Sequence, residues 1–149
     1  MGGSRVKIST KGRYGLKAMF ELACRYGETP VSIRAIAEAQ GISEHYLEQL
    51  FKKLRKAGVV QSIRGAQGGY ALARPPEEIT IGEILRALEG TVAPVSCAET
   101  EVSCAYARQC VENYVYRQIR EGIDRVVDNL TLSSMLMEQR RIQEELGRQ

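Results

Sequence analysis

From Ser32 to Lys56 the chain reads SIRAIAEAQGISEHYLEQLFKKLRK. Two stretches with apolar residues at helical spacing are separated by Gly41, which supplies a tight turn. Ser32 and Ser43 each precede one stretch, where a serine hydroxyl can cap the first turn of a helix. A helix, a short turn with glycine and a second helix are typical of the helix-turn-helix motif, whose second helix enters the major groove of DNA. A plain helical hairpin is the alternative that this stretch leaves open.

The residues after this motif predict two short strands, 59–63 and 70–73. Residues 64–69 between them read RGAQGG, so a cation is followed by three glycines within six residues. A hairpin directly after a recognition helix is the wing of a winged helix, and its glycines let the backbone approach a phosphodiester closely. Arg64 is the candidate for a phosphate or minor-groove contact. A flexible turn without such a role is the alternative.

Further helices are predicted on both sides of this motif. The first covers 11–27, with Ser9 or Thr10 as its cap, and a later one follows Thr80 and closes at Gly90. Together these segments predict a mainly helical fold with one small β-hairpin.

A long helix is predicted over 104–131, with apolar residues recurring at steps of three and four. A helix of that length on so small a domain cannot bury its apolar stripe within one protomer. Packing against a second copy about a two-fold axis is the commonest closed arrangement, so we expect a homodimer. Residues 132–149 are predicted to form a final helix that frays beyond Met137, where the sequence becomes charged.

The 149 residues carry a net charge of +3 that is distributed unevenly. Residues 1–80 contain 13 Lys and Arg against 7 Asp and Glu, whereas residues 81–149 contain 8 against 11. A basic amino-terminal half points to a polyanionic partner, and nucleic acid is the commonest one. A solvated basic face without a partner is the alternative.

Other features of the sequence exclude whole classes of function. No stretch approaches 18 consecutive apolar residues, so we expect neither a transmembrane helix nor a membrane partner. No signal peptide is recognisable, which favours a cytoplasmic location, and residues 1–5 are expected to be an expression-vector remnant. With a single histidine, His45, no paired carboxylates and no phosphate loop, an enzyme is not expected.

The chain contains four cysteines, Cys24, Cys97, Cys104 and Cys110. Cys24 stands in an apolar helical pattern and is expected to be a small buried side chain. The gaps of six and five residues between the other three differ from the C-x2-C spacing of zinc ribbons and redox dithiols. The wider spacing suits a larger inorganic body such as an iron–sulfur cluster, whereas zinc, a disulfide switch or three inert thiols are the alternatives.

Three blocks carry a resemblance to a known family: residues 7–14 (KISTKGRY), 42–50 (ISEHYLEQL) and 62–70 (SIRGAQGGY). In combination they resemble the Rrf-two (Rrf2) family of bacterial transcriptional regulators, over about residues 6–136. The cysteines after Pro94 are similar to those of the cluster-sensing, IscR-like branch, with one extra residue in the first gap. The DNA-reading blocks also resemble the CymR-like branch, which lacks the cysteine triad.

The resemblance implies a winged helix-turn-helix domain over 6–90, a cysteine-containing cluster-binding loop over 91–110 and then the dimerisation helix. It implies a homodimer on an operator in double-stranded DNA, with the helix that begins at Ser43 in a major groove and the wing at Gly65–Gly69 in the flanking minor groove. The DNA-binding residues that follow from this arrangement are Lys11, Arg13, Ser43, Glu44, His45, Tyr46, Glu48, Gln49, Lys52, Arg64, Gly65, Gln67 and Gly68.

The resemblance also implies that Cys97, Cys104 and Cys110 hold an iron–sulfur cluster, of two or four irons, that gates operator binding at cluster-biogenesis or sulfur and cysteine metabolism genes. IscR-like proteins supply a histidine as fourth ligand three residues after the last cysteine, where this chain has Asn113. Asn113, Glu112, a carboxylate of the second chain, water or a small thiol are the candidates for that ligand. The alternative is a CymR-like regulator without a cluster, responding to a protein partner or to thiol oxidation.

Overall fold

The computed structural model describes residues 8–90 and 110–149, and it confirms the mainly helical fold with one hairpin. The elements in chain order are α1 (Thr10–Cys24), α2 (Ile33–Gln40), α3 (Glu44–Lys56), β1 (Val60–Ile63), β2 (Gly69–Leu72), a short 3-10 helix (Pro76–Glu78), α4 (Ile81–Glu89), α5 (Val111–Asn129) and α6 (Leu132–Gly147). Within these ranges, no helix has a run of 18 residues apolar enough to cross a membrane.

Hydroxyl side chains fix where five of the helices begin. Ser9, Ser32, Ser43, Thr80 and Thr131 each accept a hydrogen bond from the backbone N–H three residues further along. Each cap satisfies a donor that the first turn of a helix otherwise leaves without a partner, which contributes about 1 kcal/mol. The caps predicted for α1 to α4 are therefore confirmed.

One apolar core joins α1 to α4, the hairpin and the start of α6. Its largest fully buried side chains are Met19, Leu22, Ile36, Leu47, Leu50, Phe51, Leu54, Val59, Ile79, Ile84, Leu85 and Leu132. Four of these side chains come from α3, and burying each of them contributes roughly 1.5–3 kcal/mol. Ile42 is buried between α2 and α3, and Gly41 has a φ of 64°, as the helix-turn-helix prediction requires.

Two glycines let side chains pack directly against helix backbone where α4 meets α1 and α5. A Cβ on Gly15 of α1 would collide with the Leu88 side chain of α4, and a Cβ on Gly82 of α4 would collide with the Asp128 carboxylate of α5. Arg86 of α4 donates from Nη2 to both oxygens of the same carboxylate, at 2.7 and 2.8 Å. The helix α4 therefore connects α1 on one side with α5 on the other.

Backbone hydrogen bonds tie the junction of α5 and α6 to the start of α4. The Ile81 N–H donates to the Leu130 carbonyl at 2.8 Å, and the Leu132 N–H donates to the Ile79 carbonyl at 3.1 Å. The two carboxyl-terminal helices are thereby anchored to the winged-helix core rather than only following it in sequence.

The long helix α5 is shorter than the predicted range 104–131. Cys110 has the extended conformation of an N-cap (φ −91°, ψ 114°), so the helix begins at Val111 and ends at Asn129. Cys97 and Cys104 lie outside the described residues.

The predicted fraying beyond Met137 is wrong, because α6 continues to Gly147. Arg141 pairs with Glu138 at 2.6 Å and with Glu145, so charges three and four residues apart support the last turns. The expectation that Cys24 is buried is also wrong. It is the last residue of α1, it is exposed, and its Sγ lies 3.9 Å from Oε1 of Gln139 in α6.

The capping box of α4 gives a pH-dependent contribution to stability. The carboxylate of Glu83 accepts from the Thr80 N–H at 3.0 Å and pairs with Arg74 at 2.6 Å. Partial burial acts to raise the pKa of Glu83, but the Thr80 N–H and the Arg74 guanidinium hold this pKa below its ordinary value. Because the pKa is lower in the folded state, the ionised carboxylate stabilises the fold at neutral pH, and this contribution is lost as the pH falls through the pKa.

We therefore expect Glu83→Gln to lower the free energy of unfolding by about 0.5–1 kcal/mol at pH 7, since the side chain is partly exposed and its ion pair is partly screened. The difference from the wild type should shrink as the pH falls below the ordinary pKa of a glutamate, and it should vanish once the pH is below the lowered pKa of the folded state. Urea unfolding at several pH values measures it, with Glu77→Gln, on an exposed carboxylate nearby, as the control. A difference that stays constant down to pH 3 would contradict the assignment.

Candidate nucleic-acid interface

The outer face of α3 presents most of the residues predicted to contact DNA. Its inner face is buried in the core, so the positions between the buried ones must face outward. The residues exposed at or near the amino end and along the middle of the helix are Ser43, Glu44, His45, Glu48, Gln49 and Lys52. Tyr46 is half-buried, and its backbone N–H donates to the Ser43 hydroxyl at 3.2 Å.

The first turn of α1 lies beside the first turn of α3. The rings of Tyr14 and Tyr46 meet edge to face with centroids 5.9 Å apart, and the Lys17 Nζ lies 5.8 Å from the Tyr14 centroid. Lys11 and Arg13 are both exposed in this part of α1. Two of the predicted DNA contacts are therefore exposed on the turn of α1 that directly precedes Tyr14, the residue that meets α3.

The hairpin is fixed to the helix-turn-helix by backbone and ring contacts. Tyr70 of β2 exchanges two backbone hydrogen bonds with Val31, at 2.8 and 2.9 Å, which adds a one-residue third strand. The ring of Tyr70 stacks on that of Phe51 in α3, with centroids 4.4 Å apart and an angle of 25°. The wing therefore has a defined position relative to α3.

The loop of the hairpin exposes Arg64, Gly65 and Gln67, whereas Gly68 is half-buried. Gly65 has a φ of 125°, a conformation that strongly favours glycine, and nothing lies within 4 Å of the place where a Cβ would stand. A Cβ on Gly68 would collide with the carbonyl of Ile63. These two glycines are thus required by the shape of the hairpin itself, in addition to any approach to a phosphate.

A groove of about 450 Å³ separates α3 from the wing. Glu44 and Glu48 line it toward the amino end of α3, and Lys52 and Arg55 line it toward the carboxyl end. This order of charges complements the helix dipole. Arg55 was not among the predicted contacts, although its position three residues after Lys52 places it on the same face of the helix.

Cys110 and the two candidates for a fourth ligand that this chain itself supplies, Glu112 and Asn113, lie together at the start of α5. The Cys110 thiol is half-buried and its Sγ lies 3.4 Å from Oε2 of Glu112, while Asn113 is 4% exposed. The backbone N–H of Glu112, followed by the Cys110 thiol, lowers the pKa of the Glu112 carboxyl below its ordinary value. Within 8–90 and 110–149, no three His, Cys, Asp or Glu residues are grouped closely enough to hold a metal ion.

Comparison with known proteins identifies the family. A family model described as "Rrf2: Iron-dependent Transcriptional regulator" matches residues 8–138. The chain belongs to the Rrf2 family. Its relatives include the HTH-type transcriptional regulator CymR of Bacillus subtilis, 47% identical over 130 residues that cover 87% of this chain and 89% of that protein. The HTH-type transcriptional regulator IscR of Aliivibrio salmonicida is 38% identical over 133 residues, with coverage of 89% and 79%.

Solved structures of both kinds of regulator share the fold. IscR of T. potens superposes with a TM-score of 0.74 at 46% identity, covering 93% of this chain and 91% of that one. CymR of B. subtilis, described as a global cysteine regulator, gives a TM-score of 0.71 at 46% identity, covering 88% and 96%. The expectation of a DNA-binding transcriptional regulator with a winged helix-turn-helix, and not an enzyme, is confirmed.

Removing the cation at the base of the wing loop tests the interface. We expect Arg64→Ala to weaken binding to duplex DNA and to reduce the slope of log K against log salt by about one, because one phosphate contact is lost. Fluorescence anisotropy at several salt concentrations measures both quantities. Arg140→Ala, which removes an exposed arginine of α6, is the control with the same change in charge. An unchanged affinity and slope in the Arg64 variant would contradict this position for the wing.

Proposed function

We propose that this chain regulates transcription as a homodimer that binds operator DNA with both copies of α3 in successive major grooves and each wing in a flanking minor groove. The observation that carries the proposal is the apolar stripe along α5, which one protomer leaves exposed. Each protomer supplies one α3. In a dimer, the two α3 helices related by the two-fold axis would read half-sites about 34 Å apart.

The stripe on α5 points away from the protomer to which the helix belongs. Val111, Val115, Ile119 and Val126 are 78%, 49%, 40% and 60% exposed. Successive members are four or seven residues apart, so they share one helix face. The face turned toward α4 carries carboxylates instead, including the Asp128 that pairs with Arg86. A surface helix of a monomer turns its apolar face toward the core and its charged face toward solvent. In α5 this arrangement is reversed, and a second copy would cover the exposed apolar face.

An open groove of about 870 Å³ continues this apolar surface. It runs between α1, the end of α5 and α6, and its apolar lining includes Leu16, Phe20, Val126, Leu130 and Ile142. An exposed apolar patch of this kind marks an interaction site, and a two-fold contact places the same patch of each copy against the other. The stripe and the groove would then be buried together.

The cysteine segment is the proposed regulatory element. Cys97, Cys104 and Cys110 would hold an iron–sulfur cluster of two or four irons, with Asn113 or Glu112 as candidates for the remaining ligand. The donor chemistry fits, because thiolates are the usual ligands of such clusters and Cys110 is a free, half-buried thiol. A bound cluster would supply a redox-responsive, labile link between the three thiolates.

Cys110 is also the N-cap residue directly before α5, so restraint of its thiol would act on the start of the proposed dimer helix. The carboxyl-terminal part of α5 is held to α4 through the pair of Arg86 with Asp128. A change at the cysteine segment would therefore alter the relative position or order of the two DNA-reading surfaces, which changes operator affinity.

A second candidate is a regulator of the CymR kind that holds no cluster and responds to a protein partner or to thiol oxidation. The 47% identity with CymR of B. subtilis is compatible with it, as the 46% identity with IscR of T. potens is compatible with the first candidate. The residue three places after Cys110 favours the second candidate, because Asn113 stands where the IscR-like pattern has a histidine. Both candidates share the same dimer and the same DNA-binding surface.

A charge in the middle of the stripe tests the dimer. We expect Ile119→Asp to give a monomer in sedimentation equilibrium and to weaken operator binding strongly, since a carboxylate would have to be buried without a partner. Gln61→Asp, at an exposed position of β1 away from α5, adds the same charge and is the control that should remain a dimer. A dimeric Ile119→Asp protein, or a monomeric wild type at micromolar concentration, would contradict the proposal.

Anaerobic reconstitution with iron and sulfide tests the cysteines. We expect thiolate-to-iron absorption in the range of about 300–450 nm and a change in operator affinity. Cys104→Ala should lose both effects while it still folds and dimerises. A wild type that binds operator but holds no iron and no acid-labile sulfide would instead establish the CymR-like candidate. A Cys104→Ala protein that fails to dimerise would assign the segment a structural role.

A further inference from the structure

Glu89, the last residue of α4, contacts the first turn of α1 across 80 positions of sequence. Its Oε1 accepts a hydrogen bond from the Ser9 N–H at 2.5 Å. Ser9 in turn caps α1: its hydroxyl accepts from the Gly12 N–H at 3.4 Å, and its carbonyl accepts from the Arg13 N–H at 3.0 Å. The carboxylate therefore holds the residue on which the first turn of α1 is built.

The contact is close as well as polar. A Cβ on Gly12 would collide with the Glu89 carboxylate and with the side chain of Ile8. One turn further along, Gly15 is in equally close contact with Leu88, the neighbour of Glu89. The end of α4 thus covers the start of α1 over about one and a half turns, and its position decides where that start lies.

The same turn carries Lys11 and Arg13, two exposed cations that are among the predicted DNA contacts, and it leads to Tyr14, which contacts Tyr46 of α3. We propose that Glu89 is a positioning residue for DNA binding: it keeps the first turn of α1 ordered so that Lys11 and Arg13 meet the DNA backbone beside α3. The inference rests on the proposed DNA-binding mode, and Glu89 itself touches no DNA in it.

The charge of Glu89 and its hydrogen bond with Ser9 predict opposite effects on DNA affinity when this side chain is removed. Considered only as a negative charge on a basic surface, the carboxylate repels DNA, so its removal should tighten binding. Considered as the acceptor for Ser9, it orders a helix end that would otherwise fray, so its removal should loosen two phosphate contacts and weaken binding. The sign of the change separates the two roles.

The experiment compares Glu89→Ala, Glu89→Gln and Glu77→Ala in the full chain on one operator duplex across a salt series. We expect Glu89→Ala to bind about fivefold more weakly and to lower the salt slope by about one to two. Glu89→Gln keeps an oxygen that can accept from Ser9 but removes the charge, so it should bind as tightly as the wild type or slightly more tightly. Glu77→Ala, which removes an exposed carboxylate of the 3-10 helix, should bind equally or slightly more tightly.

Amide hydrogen exchange by NMR supplies a readout that does not depend on DNA. In Glu89→Ala the amides of Ser9, Gly12 and Arg13 should exchange faster, while those in the middle of α3 stay protected and Glu89→Gln restores the wild-type rates. Unchanged exchange at these three amides, or binding by Glu89→Ala that is as tight as the wild type or tighter, would overturn the inference alone. A wild type that does not bind duplex DNA at low salt would overturn the proposed function together with it.

Discussion

Burial of the apolar face of α3 is the constraint on which the DNA-reading surface depends. Leu47, Leu50, Phe51 and Leu54 are almost fully excluded from solvent, which fixes both the axis and the rotation of the helix. Because the helical period of 3.6 residues determines which positions share a face, burial of these four side chains places the side chains between them on the outer surface. The wing follows from the same core, since the ring of Tyr70 stacks on Phe51. A single packed face therefore positions both parts of the proposed DNA-binding surface.

The helix α5 has the opposite distribution of residues, which is the basis of the proposed dimer. Asp124 and Asp128 face α4 and pair with Arg86, while Val111, Val115, Ile119 and Val126 are exposed to solvent. A free protomer would expose this stripe at a cost that grows with the apolar area left in water. In the proposed dimer, pairing of two copies would remove that cost and would also set the distance between the two α3 helices. The same apolar stripe would then determine both the assembly and the spacing of the half-sites.

Local signals were sufficient for most of the fold and for most of the candidate interface. The caps at Ser32 and Ser43, the turn at Gly41 and the glycine-rich hairpin all depend on neighbouring residues, and the structure confirms them. The sequence does not reveal contacts between distant positions, such as Glu89 with Ser9. The end of α6 was mispredicted because charged residues suggested solvent, whereas Arg141 bridges two glutamates and extends the helix.

The glycines where α4 meets its neighbours also have a consequence for how the helices can move. At Gly12, Gly15 and Gly82 the side chains of Glu89, Leu88 and Asp128 lie directly against the backbone, where a Cβ would find no room. With so little empty space at these contacts, α4 cannot approach α1 or α5 unless those three side chains are displaced. Substitution of any of the three glycines by a larger residue would therefore change the distance between two helices rather than fill a gap.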